Sequence, residues 1–239
     1  MNRMAMANRT DVSEDIGLTE IEVAGVAALL DPDGALYLPD IGLLCISDLH
    51  LEKGAAFARR GQMLPPWDTV ATLRILSHAV ARHDPKIILS LGDNFHDRRG
   101  SSEMPEAFRA MIGQIASGRE MIWVTGNHDP DGVTNLPGLS VDELSIAGLT
   151  FRHEPGKAGE GEVAGHLHPA ATLYRRDRAV RRPCFASDGK RLIMPSFGVM
   201  TGGLDLRHQA FRGLFEPASL VAHMLGKGRL YSLPFTQLR

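Results

Sequence analysis

At 239 residues, with 44% hydrophobic and 23% charged residues, the chain has the composition of a globular protein able to bury a sizeable core. Its net charge of −2 excludes a whole-molecule field that would draw it onto nucleic acid or an anionic membrane, so any polyanion contact must come from a local basic patch. Only two cysteines (Cys45, Cys184), no apolar run of about 18 residues and no apolar core of signal-peptide length near the start argue against a disulfide framework, a membrane span and a secretory leader, and a reducing cytoplasm is expected.

In chain order, residues 1–17 read as a flexible N-terminal tail and residues 18–239 as a single domain. Ile21–Leu30 and Ala35–Leu38 flank the turn signal Asp31-Pro32-Asp33-Gly34 and predict a β-hairpin. Gly42–Ser47 is a continuous apolar run, as in a strand buried on both faces, and it ends in Asp48-Leu49-His50. If extended backbone persists to that end, Asp48 and His50 share a face. Lys53–Arg59 predicts a short helix, and Pro66 opens a longer one, with Val70, Leu73, Leu76 and Val80 at near-helical spacing, through about Arg82. Ile87–Leu91 is a second buried strand and ends in Gly92-Asp93. Glu103–Ser117 predicts a third helix. Met121–Val124 is a third buried strand and ends in Gly126-Asn127-His128-Asp129. Three such units separated by helices predict a mainly parallel sheet, whose ligands gather at the carboxyl ends of the strands.

The second half predicts short strands at Leu144–Ile146, Leu149–His153, Val163–Ala164, Ala179–Ala186 and Leu192–Met194, then a helix around Pro217–Leu225 and a last strand, Leu230–Leu233. Within it stand His153 and Gly165-His166-Leu167-His168.

The polar groups at strand ends are Asp48, His50, Asp93, Asn127, His153, His166 and His168: two carboxylates, one amide oxygen and four imidazoles, without a thiolate. Such donors suit Mn²⁺, Fe or Zn²⁺ rather than a closed Cys-rich zinc site. They are too many for one ion with an open position and predict two divalent ions, with Asp93 as the shared carboxylate because it follows the central strand. Two ions about 3.5–4 Å apart can hold a hydroxide and clamp a phosphate for in-line attack. His78, His83, His208 and His223 are assigned no role.

These ordered motifs resemble those of the calcineurin-like metallophosphoesterase superfamily, over about Gly42–Pro169. The resemblance implies an α/β fold, a four-layer α/β/β/α sandwich. It implies one metal on Asp48, His50, Asp93 and His168 and the other on Asp93, Asn127, His153 and His166, with His128 donating a proton to the leaving oxygen or stabilising charge on the phosphate. Many phosphomonoesterases of the superfamily carry an acid three residues after the bridging Asp; here that residue is His96, a pattern similar to the DNA double-strand-break repair nucleases. His96 and Asp129 are counted with His128 as catalytic candidates, and whether Asp97 or Asp129 orients His128 is left open. More narrowly, Asp48-Leu49-His50-Leu51-Glu52-Lys53-Gly54, with Gly92–Asp97 and Gly165–Pro169, resembles the ligase-associated DNA damage response endonucleases. That resemblance implies a Mn²⁺-dependent phosphodiesterase acting on DNA in repair, with a DNA ligase and a helicase as pathway partners.

A polyanionic substrate also agrees with Arg175, Arg176, Arg178, Arg181, Arg182, Lys190 and Arg191, which follow soon after His168. Arg98, Arg181 and Arg182 are the candidate substrate-binding residues. Two other readings stand beside the endonuclease: a phosphomonoesterase or nucleotide pyrophosphatase with a closed pocket for a small substrate, and a non-enzymatic scaffold, which His128 and the full donor set oppose.

Overall fold

A computed structural model of the chain describes residues 17–65, 67–157, 159–175 and 178–238, and of Arg175 the backbone alone. The expected tail (residues 1–16), Pro66 as helix opener, and Arg176 lie outside the described residues. Gly17, expected in the tail, forms a parallel bridge with Arg229.

In chain order the strands of the first sheet are β1 (Thr19–Val23), β2 (Val26–Leu30), β3 (Leu36–Leu38), β4 (Leu43–Ile46), β5 (Ile87–Leu91), β6 (Glu120–Val124) and β7 (Leu139–Val141). They lie side by side in that order, antiparallel from β1 to β4 and parallel from β4 to β7. The helices α1 (Lys53–Arg59), α2 (Asp68–His83), α3 (Gly100–Glu103) and α4 (Glu106–Ala116) all belong to this half. The second sheet holds β8 (Glu143–Ile146), β9 (Leu149–Arg152), β10 (Glu162–Ala164), β11 (Pro169–Arg175), β12 (Arg178–Ser187), β13 (Arg191–Ile193), β14 (Leu204–Asp205), β15 (Val221–Leu225) and β16 (Leu230–Pro234). Within it β9, β10 and β13 run parallel.

The apolar runs are continuous because both faces of each central strand are buried. In β4, Leu43 and Cys45 face the second sheet, meeting Phe151, Phe185 and Met194, whereas Leu44 and Ile46 face the helices, with Leu73, Leu76 and Val80 of α2. The outer face of the second sheet is covered by the segment 204–220, whose Leu206, Phe211, Phe215 and Leu220 pack on Cys184, Ala186 and Met224. Among the described residues this fourth layer contains a 3₁₀ turn, Gln209–Phe211, and no α-helix.

Three sequence expectations are corrected. Ile21–Leu30 is two strands, because Ala24 and Gly25 both take positive φ (48° and 79°) and make a mirror-image hairpin turn that alanine does not announce. The helix expected over Glu103–Ser117 is broken: Met104, preceding Pro105, is extended (ψ 133°), as the proline ring requires of its predecessor. Residues Val221–Leu225 form β15 rather than a helix, since β12 and β16 pair with it on either side and a five-residue apolar run is short enough to be taken by either period.

The Asp31 turn is tied to the end of α2. The fully buried Asp31 carboxylate accepts from Arg82 Nη1 (2.5 Å), His83 Nε2 (2.7 Å) and the Asp33 backbone N–H (2.8 Å). Burial pushes the carboxyl up, but His83, Asp33 and Arg82 together outweigh it and leave it below its ordinary value. Its contribution is therefore present above the unfolded carboxyl pKa and fades as pH falls through the lower folded value. Asp31→Asn is expected to cost about 2 kcal/mol by denaturant unfolding at neutral pH, and the gap to the wild type should close in acid.

Candidate metal centre

Strands β4, β5 and β6 are adjacent and parallel, so their carboxyl ends deliver three loops to one edge of the first sheet; β9 and β10 deliver His153 and His166–His168 from the second. The pairing continues beyond the strands: His50 N donates to Asp93 O (2.9 Å) and Leu51 N to Asn94 O (2.9 Å). Hydrogen bonds also cross between the two halves at the donors themselves. His166 N donates to Asp48 Oδ2 (3.0 Å), and His153 Nδ1 donates to Leu91 O (2.8 Å).

Extended backbone does not persist through Asp48-Leu49-His50. Asp48 (φ 53°) and His50 (φ 44°) are both left-handed, as are Asp93 (46°), His166 (66°) and His168 (44°). Five of the seven predicted donors thus occupy a conformation uncommon for non-glycine residues, and such strain collects where a site must aim side chains inward.

The donors gather in two groups, Asp48 with His50 and His168, and Asp93 with His153 and His166. In the first, His168 Nε2 lies 3.0 Å from Asp48 Oδ1 and 3.5 Å from His50 Nε2. In the second, His153 Nε2 lies 3.4 Å from Asp93 Oδ1, 2.9 Å from Asn127 Oδ1 and 3.1 Å from His166 Nδ1. Asp93 stands between the groups, its Oδ2 3.8 Å from His50 Nε2. Backbone carbonyls fix the rings. Because Leu91 O and Gly202 O can only accept, the Nδ1 atoms of His153 and His168 carry hydrogen and their Nε2 atoms face inward.

That donor set fits a divalent cation. Imidazole nitrogens face one another, His153 Nε2 against His166 Nδ1 and His50 Nε2 against His168 Nε2, beside two buried carboxylates. Burial would lower His153, but the hydrogen bond to Asp93 and the charges of Asp48 and Asp93 outweigh it and hold the ring at about 9. Burial likewise opposes His168, which Asp48 nevertheless raises. Burial dominates at His50, lowered to about 3, and Asp93 is pulled down to about 2 against its own burial, chiefly by His153. The two carboxylates thus draw positive charge toward these rings, the part a cation takes when the rings are ligands.

The glycines of the motifs are steric necessities. A Cβ on Gly126 would lie 2.1 Å from Asp93 N and 2.4 Å from Asp93 Oδ1; one on Gly165 would lie 1.9 Å from Ser47 Oγ and 2.6 Å from Asp48 Oδ2.

His128 lies beside the centre, its Nε2 3.9 Å from Asp93 Oδ2 and its Nδ1 donating to the backbone O of His96 (2.8 Å). Neither Asp97 nor Asp129 orients it. Asp97 is held by Arg59 (2.6 Å) and Arg99 N (3.1 Å). Asp129, expected among the catalytic residues, is 2% exposed and accepts from Asn94 N, Asn94 Nδ2 and Gly126 N, stapling the second and third loops together. Its oxygens are consumed by that staple, so its role is structural. The His96 ring lies between Phe57 and His128, at centroid distances of 5.4 and 5.3 Å, and burial, then Lys53 and His128, lower it to about 4. Arg98 is not brought to the donors; it is exposed and paired with Asp131 (2.8 Å). Arg181 and Arg182 line a cleft together with His168.

Sequence reasoning missed Asn94, Ser47 and the Gly202-Gly203 loop. Ser47 Oγ donates to Asp48 Oδ2 (2.5 Å), and a Cβ on Gly203 would lie 2.4 Å from His168 O. The glycine pair following β13 was the available signal.

A two-sheet α/β fold with nitrogen and oxygen donors converging from the strand ends of both sheets defines a metal-binding protein of the phosphoesterase type. The chain belongs to the calcineurin-like phosphoesterase family, whose model matches residues 41–192. A crystal structure of the Pseudomonas putida nuclease MPE is similar over 91% of this chain and 100% of that one, with a TM-score of 0.68 and 29% identity. Prohibitin 1 of Drosophila melanogaster is 25% identical over 171 residues, which cover 66% of this chain and 60% of that protein, so the chain spans about three fifths of that relative's length.

Gly126→Ala is expected to displace Asp93 and weaken divalent-metal retention by roughly 10–100-fold, by elemental analysis after dialysis, with the circular dichroism of the wild type retained.

Proposed function

We propose that the protein is a dinuclear metal-dependent phosphodiesterase that cuts DNA as an endonuclease in repair. The observation that carries this reading is Asp93 standing between two donor groups with His128 beside it. The nuclease named in the Pseudomonas putida structure supports the choice of a nucleic-acid diester. Mn²⁺ is the proposed ion, and Fe or Zn²⁺ would suit the same donors. When bound, two such ions supply a nucleophile at neutral pH and neutralise the phosphate. Asp48, His50, Asp93 and His168 would hold one; Asp93, Asn127, His153 and His166 the other. DNA is the proposed partner, with a DNA ligase and a helicase of the same pathway, and the reducing cytoplasm the proposed compartment. No helix among the described residues is long and apolar enough to cross a membrane.

The proton for the leaving oxygen comes from His128. Its Nδ1–H is committed to the His96 carbonyl, so the ring is fixed with Nε2 toward the centre, and the imidazolium donates from Nε2. The His96 ring lies 5.3 Å from that of His128, tilted by 34°, and lines the same cleft; we assign it to the diester's second ester group. Arg181 and Arg182 neutralise phosphates of the flanking strand. This acidic protein has no long-range attraction for DNA, so affinity is local.

Three measurements test the assignment. Metal-replete wild type should hold two ions per chain and Asp93→Ala neither; one tightly held ion in the wild type would exclude the dinuclear centre. His128→Ala should keep its metal and lose roughly 10²–10⁴ in DNA cleavage. It should lose less on bis-nitrophenyl phosphate, whose leaving group needs little protonation, and His96→Ala should depress diester hydrolysis more than monoester hydrolysis. The log–log salt dependence of DNA binding should have a slope of roughly −0.9 for each of about two to four phosphate contacts. Replacing Arg181 and Arg182 together by alanine should flatten it and lower DNA cleavage more than hydrolysis of the small diester; equal losses would make these arginines structural.

A further inference from the structure

The cleft over the metal centre, bordered by His128 and His168, does not end there. It shares His168, Gly202 and Gly203 with a second cleft of about 510 Å³ that reaches Arg181, Arg182 and Pro183. That cleft shares Arg182, Pro183 and Leu225 with a third, of about 870 Å³, walled by Leu173, Val180, Met224, Tyr231 and Leu233. One trough therefore leads from the donors, past two arginines, onto an apolar surface.

The apolar end exists because of a mismatch in strand length. β12 pairs with β15 only over Cys184–Ser187. Beyond Leu225 the β15–β16 hairpin closes through Gly226 N donating to Arg229 O (2.9 Å), so residues 180–183 of β12 have no strand on that side among the described residues. The wedge left between them exposes Val180 (42%) and Tyr231 (48%). The Arg182 guanidinium donates to Arg181 O and that of Arg181 to Gly203 O, and neither is in an ion pair among the described residues. Lys227 adds a further cation at the rim of the wedge.

Cations outside any ion pair along the path and, at its end, an exposed apolar wedge whose Tyr231 ring carries the Arg229 guanidinium at 5.1 Å are complementary to one kind of ligand, a chain of phosphates carrying unpaired bases. We propose that this wedge is a base-binding subsite: it seats unpaired nucleobases of the strand whose scissile phosphate lies at the metal centre, with Arg181 and Arg182 holding the phosphates between. The proposal rests on the phosphodiesterase reading and adds to it a recognition surface remote from the metals. Bases of a duplex are paired and stacked and cannot enter the wedge, so the subsite favours a strand that is single at that point.

The test is binding of a fluorescein-labelled oligodeoxythymidine of roughly 12 nucleotides, measured by anisotropy in EDTA to prevent cleavage, against an oligomer of the same length with abasic residues. Wild type should bind the thymidine oligomer about tenfold more tightly than the abasic one, as expected of about one stacked base. Tyr231→Ala and Val180→Asp, both at exposed positions and each checked by thermal melting, should reduce that preference and leave the abasic affinity of Tyr231→Ala unchanged. Equal affinity of wild type for both oligomers, or an undiminished preference in both folded variants, would overturn the proposal. A dimer in sedimentation that Val180→Asp dissolves would assign the surface to a second copy of the chain and overturn it equally. Hydrolysis of bis-nitrophenyl phosphate by the metal-loaded wild type distinguishes the two readings: base-dependent binding without hydrolysis supports the subsite and overturns the phosphodiesterase, and hydrolysis without base dependence does the reverse.

Discussion

The Asp93 carboxylate is the contact through which the two halves of the metal centre communicate. Its Oδ1 accepts the backbone N–H of His128 (2.9 Å) and faces His153; its Oδ2 faces His50 and His128. A second buried carboxylate, Asp48, lies on the other side of His153. Two such charges, both buried, require compensation, and His153 is raised by the hydrogen bond to Asp93 and by the charges of Asp48 and Asp93. A metal centre of this kind is a buried charge problem that the fold leaves for a cation to solve.

The geometry that creates the problem is imposed by the backbone. Left-handed residues at Asp48, His50, Asp93, His166 and His168 turn side chains toward a common point from loops that would otherwise run straight on from their strands. That conformation is sustained by contacts on every side: the pairing of the first and second loops, the Asp129 staple between the second and third, and the Ser47 and His166 hydrogen bonds to Asp48. Gly126 and Gly165 allow the loops to approach so closely that a single methyl group would collide with a donor.

Away from the centre the chain spends buried charge on rigidity. Arg191 and Glu162, both almost fully buried, pair at 2.8 Å, and Glu162 also accepts from Gly156 N, anchoring the loop that follows His153. Asp31 likewise joins the β2–β3 turn to α2. Such buried pairs contribute less to net stability than to holding one arrangement, because desolvation offsets most of their attraction. Their value here is positional: each fixes an element that carries, or directly precedes, a functional loop.

The amino-acid sequence by itself determined the central strands and set the candidate donors at strand ends. Both-face burial leaves unbroken apolar runs at β4, β5 and β6, and the polar residues that interrupt them at their ends stand out by contrast. Asp48, His50, Asp93, Asn127, His153, His166 and His168 were legible for that reason, in order and with their glycines. Tertiary structure alone decided what lay outside local pattern. Val221–Leu225 became a strand because β12 and β16 flank it, which no five-residue period can announce. Asp129, beside His128 in sequence, turned away to cap backbone N–H groups of another loop, while a carbonyl 32 residues earlier took the place expected for a carboxylate. Arg98 was drawn to Asp131 instead of the donors, and Arg181 and Arg182 were joined to His168 by the course of the β11–β12 hairpin. Side-chain type and spacing record what a strand end can offer; which hydrogen bonds it finally makes depends on partners brought close only by the packing of the two sheets.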